Sequence, residues 1–171
     1  MKKEVQKNLD TLLKLMDIDT PYDIDEEVVG EITYIKVSFK GDDLGYLIGS
    51  HGKHLDSFQY ILGLMLRKEL GEDSGYRILL DVSDYRKDRD EKLEKFAMQK
   101  ADDARILGEP VDLPPMKASD RRVIHIALEK FDDIKTESIG EDRDRHIRII
   151  PVSDTDILED GEKESEEESE E

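Results

Sequence analysis

The 171-residue chain sets 44 Asp and Glu against 26 Lys and Arg, a formal net charge of −18, and contains no cysteine. Its length admits one domain or two small ones, and the missing cysteines exclude a disulfide framework and a thiolate metal site. No apolar run approaches the about 18 residues of a membrane span, and Met1-Lys2-Lys3-Glu4-Val5 leads into no apolar signal core, so export is not expected and a cytoplasmic location is.

Over residues 3–17, Val5, Leu9, Leu12, Leu13 and Met16 recur at helical spacing, and Thr20-Pro21 is expected to end that helix. Two strands are predicted next, Tyr22 to Val29 and Glu31 to Phe39, with Gly30 in the turn between them. In the second, Thr33, Ile35, Val37 and Phe39 share one face and Ile32, Tyr34, Lys36 and Ser38 the other. Gly41-Asp42-Asp43 breaks the strand, and Leu44 to Ile48 is long enough for one helical turn. After Gly49–Gly52 a long helix carries Leu55, Phe58, Leu62, Met65 and Leu66 on its inner stripe, with Gly71 as its C-cap. Tyr76 to Val82 reads as a compact strand that closes the first unit.

Asp84 is positioned to cap a highly charged helix over about 85–107, with Leu93, Phe96, Ala97, Lys100 and Ala104 facing inward. The prolines of 109–115 favour an extended segment. Ser119 to Phe131 is expected to be helical, lined by Val123, Ile124, Ala127, Leu128 and Phe131. Ile134 to Ser138 and Arg145 to Val152 are expected to pair antiparallel across the turn 139–144. From Asp154 onward eleven acidic residues stand against Lys163 alone, a net of −10 that leaves −8 for the rest of the chain. This end has the composition of a disordered tail that keeps the protein in solution, and it also has the charge to compete with an anionic ligand for basic sites.

Leu47-Ile48-Gly49-Ser50-His51-Gly52-Lys53 is the most informative stretch. Two glycines three apart permit a tight turn and close approach of a ligand. A helix starting near Gly52 aims free N–H groups and a positive dipole end at that place, which suits a phosphate. Lys53 could pair with a phosphate, and His51 could stack on a base. Taken alone, so short a pattern fits a ligand-free helix–helix turn equally well. Farther on, Arg121 and His125 stand four apart, one turn above each other on a helix, at the edge of its apolar stripe. They suit either a phosphate-and-base platform or plain surface charge beside a core-edge histidine. His51, His54 and Asp56 lie close in sequence, but a zinc site needs four ligands, or three and a water. No nucleophile–base pair or Walker loop stands out, so neither a cofactor nor catalysis is expected.

The segment Gly41-Asp42-Asp43-Leu44-Gly45-Tyr46-Leu47-Ile48-Gly49, the Gly-x-x-Gly loop and Leu55-Asp56-Ser57-Phe58-Gln59-Tyr60 resemble the type II KH domain of the bacterial Jag (SpoIIIJ-associated) family. Met116, Asp120-Arg121-Arg122, His125, Ala127, Thr136-Glu137-Ser138-Ile139-Gly140-Glu141 and Arg145 resemble the R-three-H domain that follows KH in that family. The resemblance implies an α+β protein of two small domains: KH over 1–83, a three-stranded sheet with helices on one face, then R-three-H over 84–153, a three-stranded sheet with two helices. The disordered acidic tail would be 154–171. It also implies that single-stranded RNA is gripped by Gly49, Ser50, His51, Gly52 and Lys53 and by Arg121, His125 and Arg145. At the loop's variable pair the family often carries basic residues where this chain has Ser50 and His51, a difference that would make binding pH-sensitive. Family members often carry a further N-terminal Jag domain, for which this chain offers no counterpart ahead of its first helix.

The expected function is therefore a non-catalytic single-stranded RNA-binding protein, a post-transcriptional regulator in which two tethered weak sites give useful avidity. The resemblance further implies roles in cell-envelope growth or division, with a second small KH protein and the membrane insertase system as partners. The acidic body and the Ser-His loop also admit a different class, an adaptor whose KH surface docks a protein.

Overall fold

The computed structural model describes residues 1–71 and 75–152, and the acidic tail expected over 154–171 lies outside them. The described residues form an α+β structure of two compact units, Met1–Asp88 and one that begins at Arg89.

The first unit runs α1 (Lys2–Leu15), β1 (Tyr22–Val29), β2 (Ile32–Phe39), α2 (Gly45–Ile48), α3 (Lys53–Leu70) and β3 (Tyr76–Val82). Its sheet has the order β1-β2-β3, with β2 antiparallel to β1 and parallel to β3. The parallel step needs a crossover, which α2 and α3 supply. The two-residue alternation read from β2 holds: Ile35, Val37 and Phe39 are buried, against Val5, Leu9, Leu55, Phe58, Leu62 and Leu66 of α1 and α3 in one core.

The first helix stops sooner than the sequence suggests, at Leu15, and Met16 is exposed rather than part of its inner stripe. The stop is a Schellman motif rather than the downstream proline. Asp17 turns left-handed at φ 54°, its N–H reaches the Lys14 carbonyl (3.3 Å), and the Ile18 N–H reaches that of Leu13 (2.9 Å). Ile18 then packs against the core.

The second unit holds most of α4 (Tyr85–Leu107), then β4 (Val111–Asp112), α5 (Ala118–Leu128), β5 (Ile134–Ile139) and β6 (His146–Pro151). Its sheet has the order β4-β6-β5, antiparallel throughout. The extended segment around Val111 thus becomes a third strand, fastened by a bidentate pair from Arg148 to Asp112 (2.6 and 2.8 Å). On α4 the buried seam is Leu93, Ala97, Ala101 and Ala104. Ala101 takes the inner place expected of Lys100, because it lies four residues from Ala97 whereas Lys100 flanks the seam and pairs with Asp103 (2.7 Å).

The start of α4 differs from the sequence expectation as well. The Arg86 backbone N–H is accepted by the Asp81 carboxylate (3.3 Å), which also accepts the Val82 N–H (2.9 Å). Asp81 therefore does the capping expected of Asp84. Asp84 sits at φ 58°, outside the extended region from which an N-cap side chain usually reaches forward.

Candidate nucleic-acid interface

The Gly-x-x-Gly loop is built for close approach. Gly49 adopts φ 67°, ψ −171°, a region essentially reserved for glycine. A Cβ there would lie 2.4 Å from Cγ of His54. His54 packs over Gly49 and donates Nδ1–H to the Tyr46 carbonyl (2.9 Å), so its ring fastens α2 to the start of α3. His51 takes the left-handed conformation (φ 55°, ψ 30°) and Gly52 follows at φ 81°, after which α3 begins at Lys53. Ser50, His51 and Lys53 are exposed around the turn, and Gly52 is buried beneath it. The helix start expected near Gly52 is thus present, with its first N–H groups facing the loop. Among the described residues no group of three or more His, Cys, Asp or Glu is placed to hold a metal ion.

Beside α3 runs a groove of about 650 Å³ lined by Asp56, Gln59, Tyr60, Arg67, Arg77 and Ile78. One wall is α3; the other is the outer edge of β3, the end strand of its sheet. Arg86 disarms the acid in this groove: its guanidinium contacts Asp56 (3.0 Å), the Gln59 carboxamide oxygen (3.2 Å) and the Leu80 carbonyl (3.0 Å). Gln59 also accepts the Leu80 N–H (3.0 Å). Leu80 thus turns both backbone groups outward. By the alternation of a strand, Ile78 turns its N–H and C=O the same way, into the groove. A donor and an acceptor side by side suit the edge of a base.

The sequence reading missed these lining residues. A signal existed, since Asp56, Gln59, Gly63 and Arg67 form a second stripe at helical spacing along α3, beside the apolar one.

In the second unit hydrogen bonds link Arg121 to Arg145 through Met116, while His125 is held separately by β5. Arg121 donates to the Met116 carbonyl (2.6 Å), and the Met116 N–H donates to the Arg145 carbonyl (3.2 Å). The Arg145 guanidinium contacts the Ser138 hydroxyl (3.1 Å), and His125 Nδ1 shares a hydrogen bond with the Thr136 hydroxyl (2.7 Å). Thr136 and Ser138 are two apart on β5, hence on one face. Arg121 and His125 are both half-buried, as expected at the margin of an apolar stripe.

Burial, with the charge of Arg121, pulls the His125 imidazole below its usual 6.5. The ring is therefore neutral near pH 7 and offers a flat face and a hydrogen bond rather than a charge. Above 6.5 it is neutral in both the folded and the unfolded chain and leaves stability unchanged. Below 6.5 the unfolded chain takes up a proton first, so stability falls as pH drops toward the folded-state pKa. His125→Gln should lose less stability than the wild type between about pH 7 and about pH 5 in urea titrations. An identical loss in both would contradict this origin.

Two family models match the chain in tandem: residues 6–78 match the KH domain of KhpA/KhpB type, and residues 90–151 match the R-three-H domain. The first unit is accordingly a KH domain and the second an R-three-H domain. The RNA-binding protein KhpB of Clostridium symbiosum is 36% identical over 146 residues, 85% of this chain and 62% of that protein. The protein of that name from Bacillus subtilis (strain 168) is 30% identical over 117 residues, 67% of this chain and 55% of that protein. The one from Streptococcus pneumoniae serotype 2 is 24% identical over 146 residues, 85% and 43% respectively. The chain belongs to the Jag family of KH–R-three-H proteins, and it matches 62% or less of the length of these relatives. No helix among its described residues is long and apolar enough to cross a membrane.

Proposed function

We propose that the chain is a non-catalytic, cytoplasmic binder of single-stranded RNA that grips one strand with two modules. Gly49, Ser50, His51, Gly52 and Lys53 hold the sugar–phosphate backbone at the KH loop, and Arg121, His125 and Arg145 supply the second contact. One observation carries this reading. In a chain so rich in acid, Arg86, Arg89, Arg105 and Arg148 each rest on a carboxylate. Arg121 and Arg145 are instead anchored by a carbonyl and a hydroxyl, so their charge stays available to an incoming anion. The relatives named as RNA-binding proteins support the same conclusion.

Changing Ser50 and His51 together to Asp tests it. His51 is left-handed, a conformation that Asp tolerates better than most residues, and acids near the start of α3 favour its dipole. The fold should therefore hold. Two charges about 6 Å from a phosphate cost roughly 0.7 kcal/mol each in full water, and more in a partly desolvated groove. Affinity for a single-stranded oligoribonucleotide, read by fluorescence anisotropy, should drop at least about tenfold. Unchanged affinity in the folded double variant would remove the loop from the site.

A second reading, an adaptor that docks a protein, has one observation in its favour. On the sheet face turned from the helices, Val29, Tyr34 and Leu79 are exposed. RNA affinity resting on phosphate contacts falls steeply with salt, whereas apolar docking on that face would not. The roles in regulation and in cell-envelope growth or division, with a second KH protein and the insertase system as partners, extend this proposal from the family resemblance. Crosslinking in cells, followed by sequencing of the bound RNA, tests the regulatory part directly.

A further inference from the structure

We infer that Arg67 and Arg77 form a second phosphate-binding subsite at the end of the KH groove remote from the Gly-x-x-Gly loop, so that the groove holds a strand at both ends. This rests on the reading of the groove as an RNA site and adds the place of its second anchor. Both arginines line the groove, one from each wall. Neither makes an ion pair among the described residues. Arg77 folds over the strand edge onto the Tyr76 carbonyl (3.1 Å), a neutral acceptor, and Arg67 is exposed on α3. Asp56, the acid lining the same groove, is engaged by Arg86 (3.0 Å). Two like charges thus border one groove while the carboxylate within it is already partnered. An anion between them relieves their repulsion and gains two charge-assisted contacts.

The spacing gives the subsite a reach. Lys53 opens α3 and Arg67 lies fourteen residues on, about 21 Å at 1.5 Å per residue. A stacked strand advances about 3.4 Å per nucleotide, so the two anchors are no more than about six nucleotides apart, and fewer when the bases are splayed. The loop itself lacks a basic pair, so the arginines at the far end supply positive charge that Ser50 and His51 do not.

The test uses the full chain and labelled oligouridylates from about three to about ten nucleotides. In the wild type, affinity should rise with length and then level off by about six nucleotides. In R67Q/R77Q that rise should stop earlier, and the slope of log affinity against log salt should shrink by about 0.7, the loss of one neutralised phosphate of a single strand. R67K/R77K should keep most of the slope. A thermal melt like that of the wild type shows that the variant folds. An unchanged slope and length profile in folded R67Q/R77Q overturns the subsite while leaving the RNA-binding reading intact, provided that the wild type binds and the Ser50/His51 double variant does not. A wild type that binds none of the oligomers overturns both.

Discussion

Gly49→Ala is expected to cost about 2–4 kcal/mol of stability and to remove RNA binding at the KH loop with it. The backbone region that Gly49 occupies charges any other residue about 1–3 kcal/mol. The new Cβ would also meet the His54 ring at 2.4 Å. That ring cannot yield without giving up its bond to the Tyr46 carbonyl, worth about 1 kcal/mol. Gly52→Ala gives the internal comparison. Its ordinary left-handed conformation costs a side chain only about 1–2 kcal/mol. Urea unfolding of the two variants should rank them in that order. Wild-type stability and affinity in Gly49→Ala would show that the loop rebuilds without harm.

Asp120→Ala should destabilise the R-three-H domain by about 3–5 kcal/mol. Asp120 is 3% exposed, in the first turn of α5, and accepts a bond from Arg89 at 2.9 Å. Arg89 is itself largely covered, and its Nε is buried without a hydrogen-bond partner. Removing the carboxylate leaves a guanidinium whose side chain is only 25% exposed without its acid, and takes a negative charge from a helix start. Replacing both partners by apolar residues, as in R89M/D120L, should recover most of the loss, because the desolvation cost of the two ions disappears with them. Denaturation of the wild type, R89M, D120L and R89M/D120L gives the coupling directly. A single Asp120→Ala variant within about 1 kcal/mol of the wild type would mean that water reaches Arg89 more freely than its burial indicates.

Much of this architecture is legible in the chain because it is local. The alternation on β2, the stripe from Leu55 to Leu66 and the glycines at 49, 52 and 71 each act within a few residues, and each lies where the sequence reading places it. Boundaries were less secure wherever a competing local bond intervened. The Schellman turn at Asp17 ended α1 before Pro21 could, and Asp81 reached the start of α4 from the preceding strand. The Arg121–His125 pair was visible as a spacing. Its backbone anchor at Met116 was not, since that contact depends on Met116 being held ahead of the helix by the Arg145 carbonyl.

By itself the sequence determined the order of the elements, the faces they bury and the tight turn at Gly49–Gly52, because periodicity and backbone freedom are properties of neighbouring residues. Only the tertiary structure decided what surrounds that turn. His54 became its clasp, Asp56 was engaged by Arg86, and Arg67 and Arg77 came to line one groove. Asp56 and Arg86 stand 30 residues apart, and even the nearer groups meet only through the packing of one element on another. Charges gain or lose partners only when that packing brings them within a few ångströms in a setting that water does not screen.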